Sequence, residues 1–122
     1  MAEHCVLIVD DEKKFADTLS KRIQLRGIPS EVVHDGRSAL KALEKKRFKA
    51  ILLDLRLPDI SGIEVLRRFR RTNSDTPVII ITGHGSEDDR RRCTALAANA
   101  FLHKPVNIDE LTRLLAGGED TT

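Results

Sequence analysis

The sequence predicts an α/β domain built on a doubly wound, five-stranded parallel sheet. Its apolar residues fall into short unbroken runs of strand length, which is typical of parallel strands buried on both faces. Between these runs, apolar residues recur every three or four positions, which is the spacing of amphipathic helices. Strand and helix patterns alternate five times in 122 residues, and this alternation favours a parallel sheet with helices on both faces.

Five segments have the composition of strands. Four of them are apolar runs, whereas the second has polar flanks that favour a position near an edge of the sheet. The first choice for the order of the strands is 2-1-3-4-5, the flavodoxin-like (βα)5 arrangement. In chain order, the predicted strands cover residues 5–9, 31–34, 50–53, 77–81 and 100–102.

Five helices are predicted to follow these strands, each with a recognisable start or stop. The third is amphipathic, because the arginines within 67–71 fall mainly opposite its apolar residues. Ser86 and Asn107 are the predicted N-caps of the fourth and fifth helices, and the tail at 119–122 is expected to fray. The first predicted helix covers about 13–26 and stops at Gly27, and the second covers 39–46 after a turn at 35–36. The third begins after Gly62, and the fourth covers 86–97. The fifth covers 107–115 and stops at Gly117 and Gly118.

Length, charge and cysteine content narrow the class of protein. The 122 residues match one domain, expected as a single unit 1–122 with its core at about 5–116. Lysine and arginine number 21 against 19 aspartates and glutamates, and this balance argues against bulk nucleic-acid binding. No apolar run reaches the ~18 residues of a membrane span, and because the first strand begins early we expect no signal peptide. We expect Cys5 and Cys93 to be thiols in a reducing cytoplasm, although their count also permits a disulfide.

Polar residues follow four of the predicted strands at the point where each strand ends. The first strand closes on Asp10 and Asp11, the third on Asp54, the fourth on Thr82 and the fifth on a segment that contains Lys104. Taken alone, Asp54 is as compatible with an exposed turn as with a site. In an open parallel sheet these strand ends share one edge, so the side chains are expected to converge. Crowded carboxylates favour the binding of Mg²⁺, which stabilises them in the ionised form. An acid beside an ammonium and a hydroxyl suits a carboxylate nucleophile that forms an aspartyl-phosphate.

These residues also carry a family resemblance. From about residue 5 to residue 115, the sequence resembles the receiver domain of two-component response regulators. The matching motifs are the Asp10-Asp11 pair, Asp54 with Pro58 and Gly62 after it, Thr82-Gly83, and Lys104-Pro105. Each motif is weak alone, but the ordered set at these strand ends is specific.

The resemblance implies a role for each matching residue. Asp54 would accept phosphate from the phosphohistidine of a sensor histidine kinase or a phosphotransfer protein. Asp10, Asp11 and Asp54, with the backbone carbonyl of Arg56, would hold Mg²⁺. The side chains that contact the phosphoryl oxygens would be Thr82 and Lys104, and the Lys104–Pro105 peptide bond is expected to be cis.

The resemblance further implies a switch. Phe101 would rotate inward when Thr82 is drawn to the phosphate, and the face of the fourth helix, fifth strand and fifth helix would then dimerise or bind an effector. Arg56, His84 and Pro105 border the site. We expect Arg56 and His84 to tune dephosphorylation by controlling the access of water.

Other classes of function stay open. A phosphatase of the haloacid-dehalogenase type also has a strand-end aspartate nucleophile, but it needs an acid two residues later, where this chain has Arg56. A phosphate-independent interaction module of the same fold would not need the acids, hydroxyl and lysine that are present. Direct DNA binding is the least favoured, since no helix-turn-helix module follows. The arginine-rich segments 67–71 and 90–92 are either solvated helix faces or a partner surface.

Overall fold

A computed structural model describes residues 4–117 and contains the predicted sheet. Five parallel strands lie in the order β2-β1-β3-β4-β5, which confirms the predicted topology. Within the described residues, no helix is both long and apolar enough to cross a membrane. The elements are β1 Val6–Val9, α1 Lys13–Gln24, β2 Ser30–Val33, α2 Gly36–Lys45, β3 Ala50–Leu53, α3 Gly62–Arg70, β4 Val78–Thr82, α4 Glu87–Ala95, β5 Ala100–His103 and α5 Ile108–Leu115.

The sheet is sandwiched between two apolar layers because successive strand residues point to opposite faces. In β1, Leu7 and Val9 pack into the layer that contains residues of α2, α3 and α4, whereas Val6 and Ile8 pack into the layer covered by α1 and α5. All four residues of β1 and of β3 are buried, as expected for central strands. The four residues of β2 are only partly buried, in agreement with its predicted position at the edge.

Element boundaries differ from the predictions by a few residues. The second strand begins and ends one residue early, at Ser30–Val33, and the last strand continues to His103. Helix α2 begins at Gly36, a residue predicted to lie in the preceding turn, because the Asp35 side chain caps the helix by accepting a hydrogen bond from the Ser38 N–H. Gly117 has a φ of 94°, which suits the predicted stop after α5. Gly118 and the tail lie outside the described residues.

The predicted helix caps are otherwise present. Ser86 accepts a hydrogen bond from the Asp89 N–H while the Asp89 carboxylate accepts one from the Ser86 N–H, so α4 begins with a complete capping box. Asn107 caps α5 through the Glu110 N–H. Cys5 and Cys93 are both free thiols.

The loop between β3 and α3 folds tightly against the end of β3. The Gly62 N–H donates to the Leu55 carbonyl at 2.9 Å. A Cβ atom at Gly62 would collide with the backbone of Asp54 and Leu55, so a side chain there would push the loop away from the strand end. Glycine at this position therefore sets the path of the chain that follows Asp54.

Asp59 ties the same loop to the start of α2. Its carboxylate accepts hydrogen bonds from the N–H groups of Gly36 at 2.8 Å, Arg37 at 2.9 Å and Ile60 at 2.8 Å. Desolvation acts to raise the pKa of Asp59, but these three donors outweigh it and lower the pKa to about 2. The carboxylate thus satisfies two of the free N–H groups at the N-terminus of α2.

We predict that Asp59→Asn lowers the urea unfolding midpoint at about pH 7, because the amide has one acceptor oxygen and no charge. The folded pKa of about 2 lies below the ordinary value of about 3.9, so this stabilisation is present above about pH 4 and is lost as the pH falls towards 2. The midpoints of wild type and variant should therefore converge in acid. Glu44→Gln, at an exposed position of α2, serves as the control. Equal midpoints at neutral pH would contradict the prediction.

Candidate functional site

Two buried carboxylates meet where the neighbouring strands β1 and β3 end. Val9 pairs with Leu53 in the register of the sheet, so the following residues, Asp10 and Asp54, lie side by side. The Asp54 N–H donates to the Val9 carbonyl at 3.0 Å and fixes this arrangement. Asp10 is 2% exposed and Asp54 is 3% exposed. Both acids are therefore held close together and largely away from water.

A third acid, Glu12, completes a cluster of carboxylates. Oxygen atoms of Asp10, Glu12 and Asp54 lie within 4.8 Å of one another. The backbone of this loop is held by two contacts: the Glu12 N–H donates to Asp10 Oδ1 at 2.9 Å, and His34 Nδ1 lies 2.9 Å from the Asp10 carbonyl oxygen. Carboxylate oxygens are the ligands that Mg²⁺ prefers, so the acids present fit a small divalent cation.

Lys104 is the ammonium of the site. Its Nζ lies 2.6 Å from Glu12 Oε1, 2.8 Å from Asp10 Oδ2 and 3.4 Å from Asp54 Oδ2. It also lies 4.2 Å from the centroid of the Phe15 ring, a cation–π contact. Burial disfavours the charged form, but the carboxylates of Asp10 and Glu12 outweigh burial and raise the pKa of Lys104 above its ordinary value. The lysine is thus charged in the pH range where these carboxylates are ionised.

The negative charge of Asp10 is incompletely compensated. Burial raises the pKa of Asp10, and the nearby charge of Asp54 raises it further. Hydrogen bonds from Lys104 and from the Glu12 N–H act in the opposite direction but do not cancel these effects. Ionised Asp10 is therefore less stable in the folded protein than in water, and an added cation would relieve that cost.

Thr82 brings a hydroxyl to the same edge of the sheet. It is the last residue of β4 and is fully buried. Its Oγ1 accepts a hydrogen bond from the His84 N–H at 3.2 Å, and its carbonyl accepts one from the Lys104 N–H at 3.0 Å. The backbone of Thr82 is thus joined directly to that of Lys104.

Phe101 is buried beneath the loop between β4 and α4. A Cβ atom on Gly85 would lie 2.5 Å from Phe101 Cζ and 2.8 Å from Thr82 Cγ2. Arg90 of α4 places its guanidinium carbon 5.1 Å from the centroid of the Phe101 ring, and His103 packs edge-on against the ring at 5.4 Å. The absence of a side chain at Gly85 therefore allows the loop to close over both Thr82 and Phe101.

The structure brings three of the predicted site residues into one cluster. Lys104 contacts both Asp10 and Asp54, and the Lys104–Pro105 peptide bond is cis as predicted. Arg56 is exposed, and its N–H lies 3.4 Å from Asp54 Oδ1. The remaining predicted residues at this edge, His84 and Pro105, are exposed.

The acids of the 10–12 run differ in their surroundings. The side chain of Asp11, a predicted metal ligand, is exposed and lies outside the carboxylate cluster, in which Glu12 is the third acid. Glu12 is the N-cap residue of α1, yet its side chain makes no cap hydrogen bond and is available to Lys104. The run of three acids at 10–12 is the only sequence signal for Glu12 as a site residue. That signal is weak, because an acid at a helix start is ordinarily explained by the helix dipole.

The sequence and the fold are both similar to those of known proteins. The sequence model of the response regulator receiver domain family matches residues 6–116. The uncharacterized transcriptional regulatory protein YkoG of Bacillus subtilis is 40% identical over 106 residues, which are 87% of this chain and 46% of that protein. This chain spans less than half the length of the transcriptional regulatory proteins it matches.

Two solved structures illustrate the structural likeness. A CheY-like receiver domain protein from Methanospirillum hungatei superimposes with a TM-score of 0.89 and 26% identity, covering 93% of this chain and 90% of that one. A response regulator from Burkholderia pseudomallei, solved with a phosphorylated aspartic acid, a calcium ion and citrate, superimposes with a TM-score of 0.85 and 27% identity. The match covers 91% of this chain and 65% of that chain.

We predict that Asp10→Asn raises the thermal unfolding midpoint at about pH 7. The pKa of Asp10 is raised in the fold, so stability is favoured below the ordinary value of about 3.9 and is lost as the pH rises through the raised pKa. A neutral asparagine avoids that loss, while Lys104 keeps Glu12 and Asp54 as partners. Circular dichroism should show the gain at neutral pH and a smaller gain at about pH 4. Asp17→Asn, at an exposed position of α1, is the control, and a lowered midpoint for Asp10→Asn at neutral pH would refute the prediction.

Proposed function

This chain belongs to the response regulator receiver domain family, and we propose that it is a phosphorylation-controlled switch whose phosphoacceptor is Asp54. One observation carries the proposal: Asp54 is a buried carboxylate at the end of a central strand, within 3.4 Å of the Lys104 ammonium and beside two further acids. A buried acid in such surroundings favours a reactive role over a structural one. The Burkholderia relative with a phosphorylated aspartic acid supports this choice of chemistry.

The proposed donor is the phosphohistidine of a sensor histidine kinase or a phosphotransfer protein. An oxygen of Asp54 attacks the phosphorus atom, the bond from phosphorus to the histidine nitrogen breaks, and the histidine leaves with that electron pair. Lys104 and Thr82 are proposed to donate hydrogen bonds to the phosphoryl oxygens, because an ammonium and a hydroxyl are suitable donors where negative charge accumulates. Lys104 is already placed against the carboxylate that would carry the group.

We propose that Asp10, Asp11 and Asp54, with the backbone carbonyl of Arg56, hold Mg²⁺. The buried carboxylates of Asp10 and Asp54 support this ligand set. Asp11 is exposed and lies outside the carboxylate cluster that contacts Lys104. Mg²⁺, when bound, neutralises charge on the carboxylates and on phosphoryl oxygens. Asp10 is the residue expected to gain most, because its ionised form is disfavoured by burial.

The proposed activity is confined to the domain's own phosphorylation and dephosphorylation, in the cytoplasm. A dehalogenase-type phosphatase would need an acid at position 56, and the exposed Arg56 does not provide one. The whole of 1–122 is proposed to be a single receiver unit with its core at about 5–116, a span close to the matched segment 6–116.

The proposed switch runs from Thr82 to the face formed by α4, β5 and α5. If Thr82 moves towards a phosphoryl group on Asp54, the loop at 83–86 must follow, because His84 is hydrogen-bonded to the Thr82 hydroxyl. Phe101 lies in contact distance of the same loop and of Arg90 in α4. Helix α4 buries only Cys93, so a shift of this helix disturbs little of the core.

Output is proposed to occur on this face through dimerisation or through an effector domain or protein. The relatives with names of transcriptional regulators are about twice the length of this chain, so their role in transcription is not assigned to this domain. Arg91 and Arg92 are exposed on α4, and we propose that they contribute to this output face.

We predict that acetyl phosphate with Mg²⁺ adds one phosphoryl group to the wild-type protein, measured by intact mass. Asp54→Ala should gain none, because no other acid lies at the end of β3 beside Lys104 among the described residues. The adduct should also shift the amide resonances of residues 83–101, which follow the proposed path of the switch. Asp17→Asn should be phosphorylated like wild type. No adduct on wild type, or the same adduct on Asp54→Ala, would reject the proposed function.

We predict that replacing both Arg56 and His84 by alanine shortens the lifetime of the aspartyl-phosphate. Both side chains are exposed at the edge that carries Asp54, and their removal would open a path for water. The decay of the intact-mass adduct, followed after removal of acetyl phosphate, measures the lifetime. Lys41→Ala, at an exposed position of α2, is the control for loss of a surface cation. An unchanged lifetime in the double variant would show that these residues do not control hydrolysis.

A further inference from the structure

Lys104 is held more closely by Glu12 than by either of the buried acids. Its ammonium lies 2.6 Å from Glu12 Oε1, 2.8 Å from Asp10 Oδ2 and 3.4 Å from Asp54 Oδ2. The side chain of Glu12 is 58% exposed, whereas that of Lys104 is only 13% exposed. An acid at the rim of the site thus makes the shortest contact with a largely buried cation.

This contact differs from an ordinary surface ion pair. Exposed pairs contribute little because both side chains must lose freedom to meet. Here Lys104 is already confined, with its ammonium over the ring of Phe15 at 4.2 Å and its backbone N–H bonded to the Thr82 carbonyl. The backbone of Glu12 is also fixed, because Glu12 is the N-cap residue of α1 and its N–H is bonded to Asp10 Oδ1. The pair therefore forms at a lower entropic cost than one between two free surface side chains.

We propose that Glu12 is a positioning residue for Lys104, which draws the ammonium towards the rim and so leaves Asp10 and Asp54 accessible to a divalent cation. A lysine ammonium and a divalent cation compete for the same oxygens, Asp10 Oδ2 and Asp54 Oδ2. Glu12 is a third carboxylate partner, which Lys104 retains when a divalent cation binds Asp10 and Asp54. Without that carboxylate, Lys104 pairs more closely with Asp10 and Asp54 and opposes the cation.

The role proposed for Glu12 extends the proposed function, and it depends on that function only for its biological purpose. Binding of Mg²⁺ alone needs no phosphoryl donor, so it is measured separately from phosphorylation. If the wild type binds Mg²⁺ but forms no adduct with acetyl phosphate, the proposed function fails while the role of Glu12 is still decided by the binding data.

The test is calorimetric titration of magnesium chloride into wild type, Glu12→Gln, Glu12→Asp and Asp17→Asn. Glu12→Gln is expected to weaken Mg²⁺ binding about tenfold, at the low end of losses typical for residues that orient metal sites. Glu12→Asp keeps the charge but is one methylene shorter, so it loses the contact with Lys104 and should weaken binding to a similar extent. Asp17→Asn removes an exposed acid from α1 and should bind like wild type. Wild-type affinity in Glu12→Gln or in Glu12→Asp would overturn the proposal.

A double-variant cycle separates positioning of Lys104 from direct contact with the cation. In a Lys104→Met background there is no ammonium to position, so adding Glu12→Gln should have little further effect on Mg²⁺ affinity. An equal loss with and without the lysine would show that Glu12 acts on the cation itself and would overturn the proposal. Thermal unfolding of each variant confirms that it is folded before titration.

Discussion

The central constraint in this structure is the repulsion between acids that the sheet forces together. Asp10 and Asp54 follow hydrogen-bonded neighbouring strands in register, so their backbones cannot separate without breaking the β1–β3 ladder. Both are nearly inaccessible to water, and burial raises the pKa of Asp10. Lys104 reduces this cost from the end of β5, which makes the lysine a structural counter-ion as well as a proposed phosphate ligand.

The remainder of the fold holds these groups against their mutual repulsion. Two apolar layers fix the strands, and the tight approach at Gly62 fixes the chain that leaves Asp54. Asp59 then anchors the same loop to α2 through three backbone N–H groups. An electrostatically costly site is thus carried by well-packed elements, as is common where function requires perturbed acids.

The opposite side of the site carries a helix with few buried residues. Gly85 lies close to both Thr82 and Phe101, and Arg90 places its guanidinium against the Phe101 ring from α4. Helix α4 has only Cys93 buried, whereas α3 buries Gly62, Ile63, Val65, Leu66 and Phe69. A helix with so little buried surface can be repositioned at a lower cost in free energy than its neighbours. The helix with the fewest buried residues therefore follows the loop that joins it to Thr82, the hydroxyl that we propose binds the phosphoryl group.

The sequence by itself determined the fold class, the strand order and the identity of Asp10, Asp54, Thr82 and Lys104 as residues at one edge of the sheet. Apolar runs and helical spacing are local signals, and parallel topology converts them directly into a shared edge. Only the tertiary structure shows that Glu12 meets Lys104 while Asp11 lies outside the carboxylate cluster, and that Gly85 leaves room for Phe101 beneath the loop. These outcomes depend on side-chain directions and on contacts between residues up to 92 positions apart, such as Glu12 and Lys104. Local sequence patterns carry no information on such distances, because the packing of the whole chain sets them.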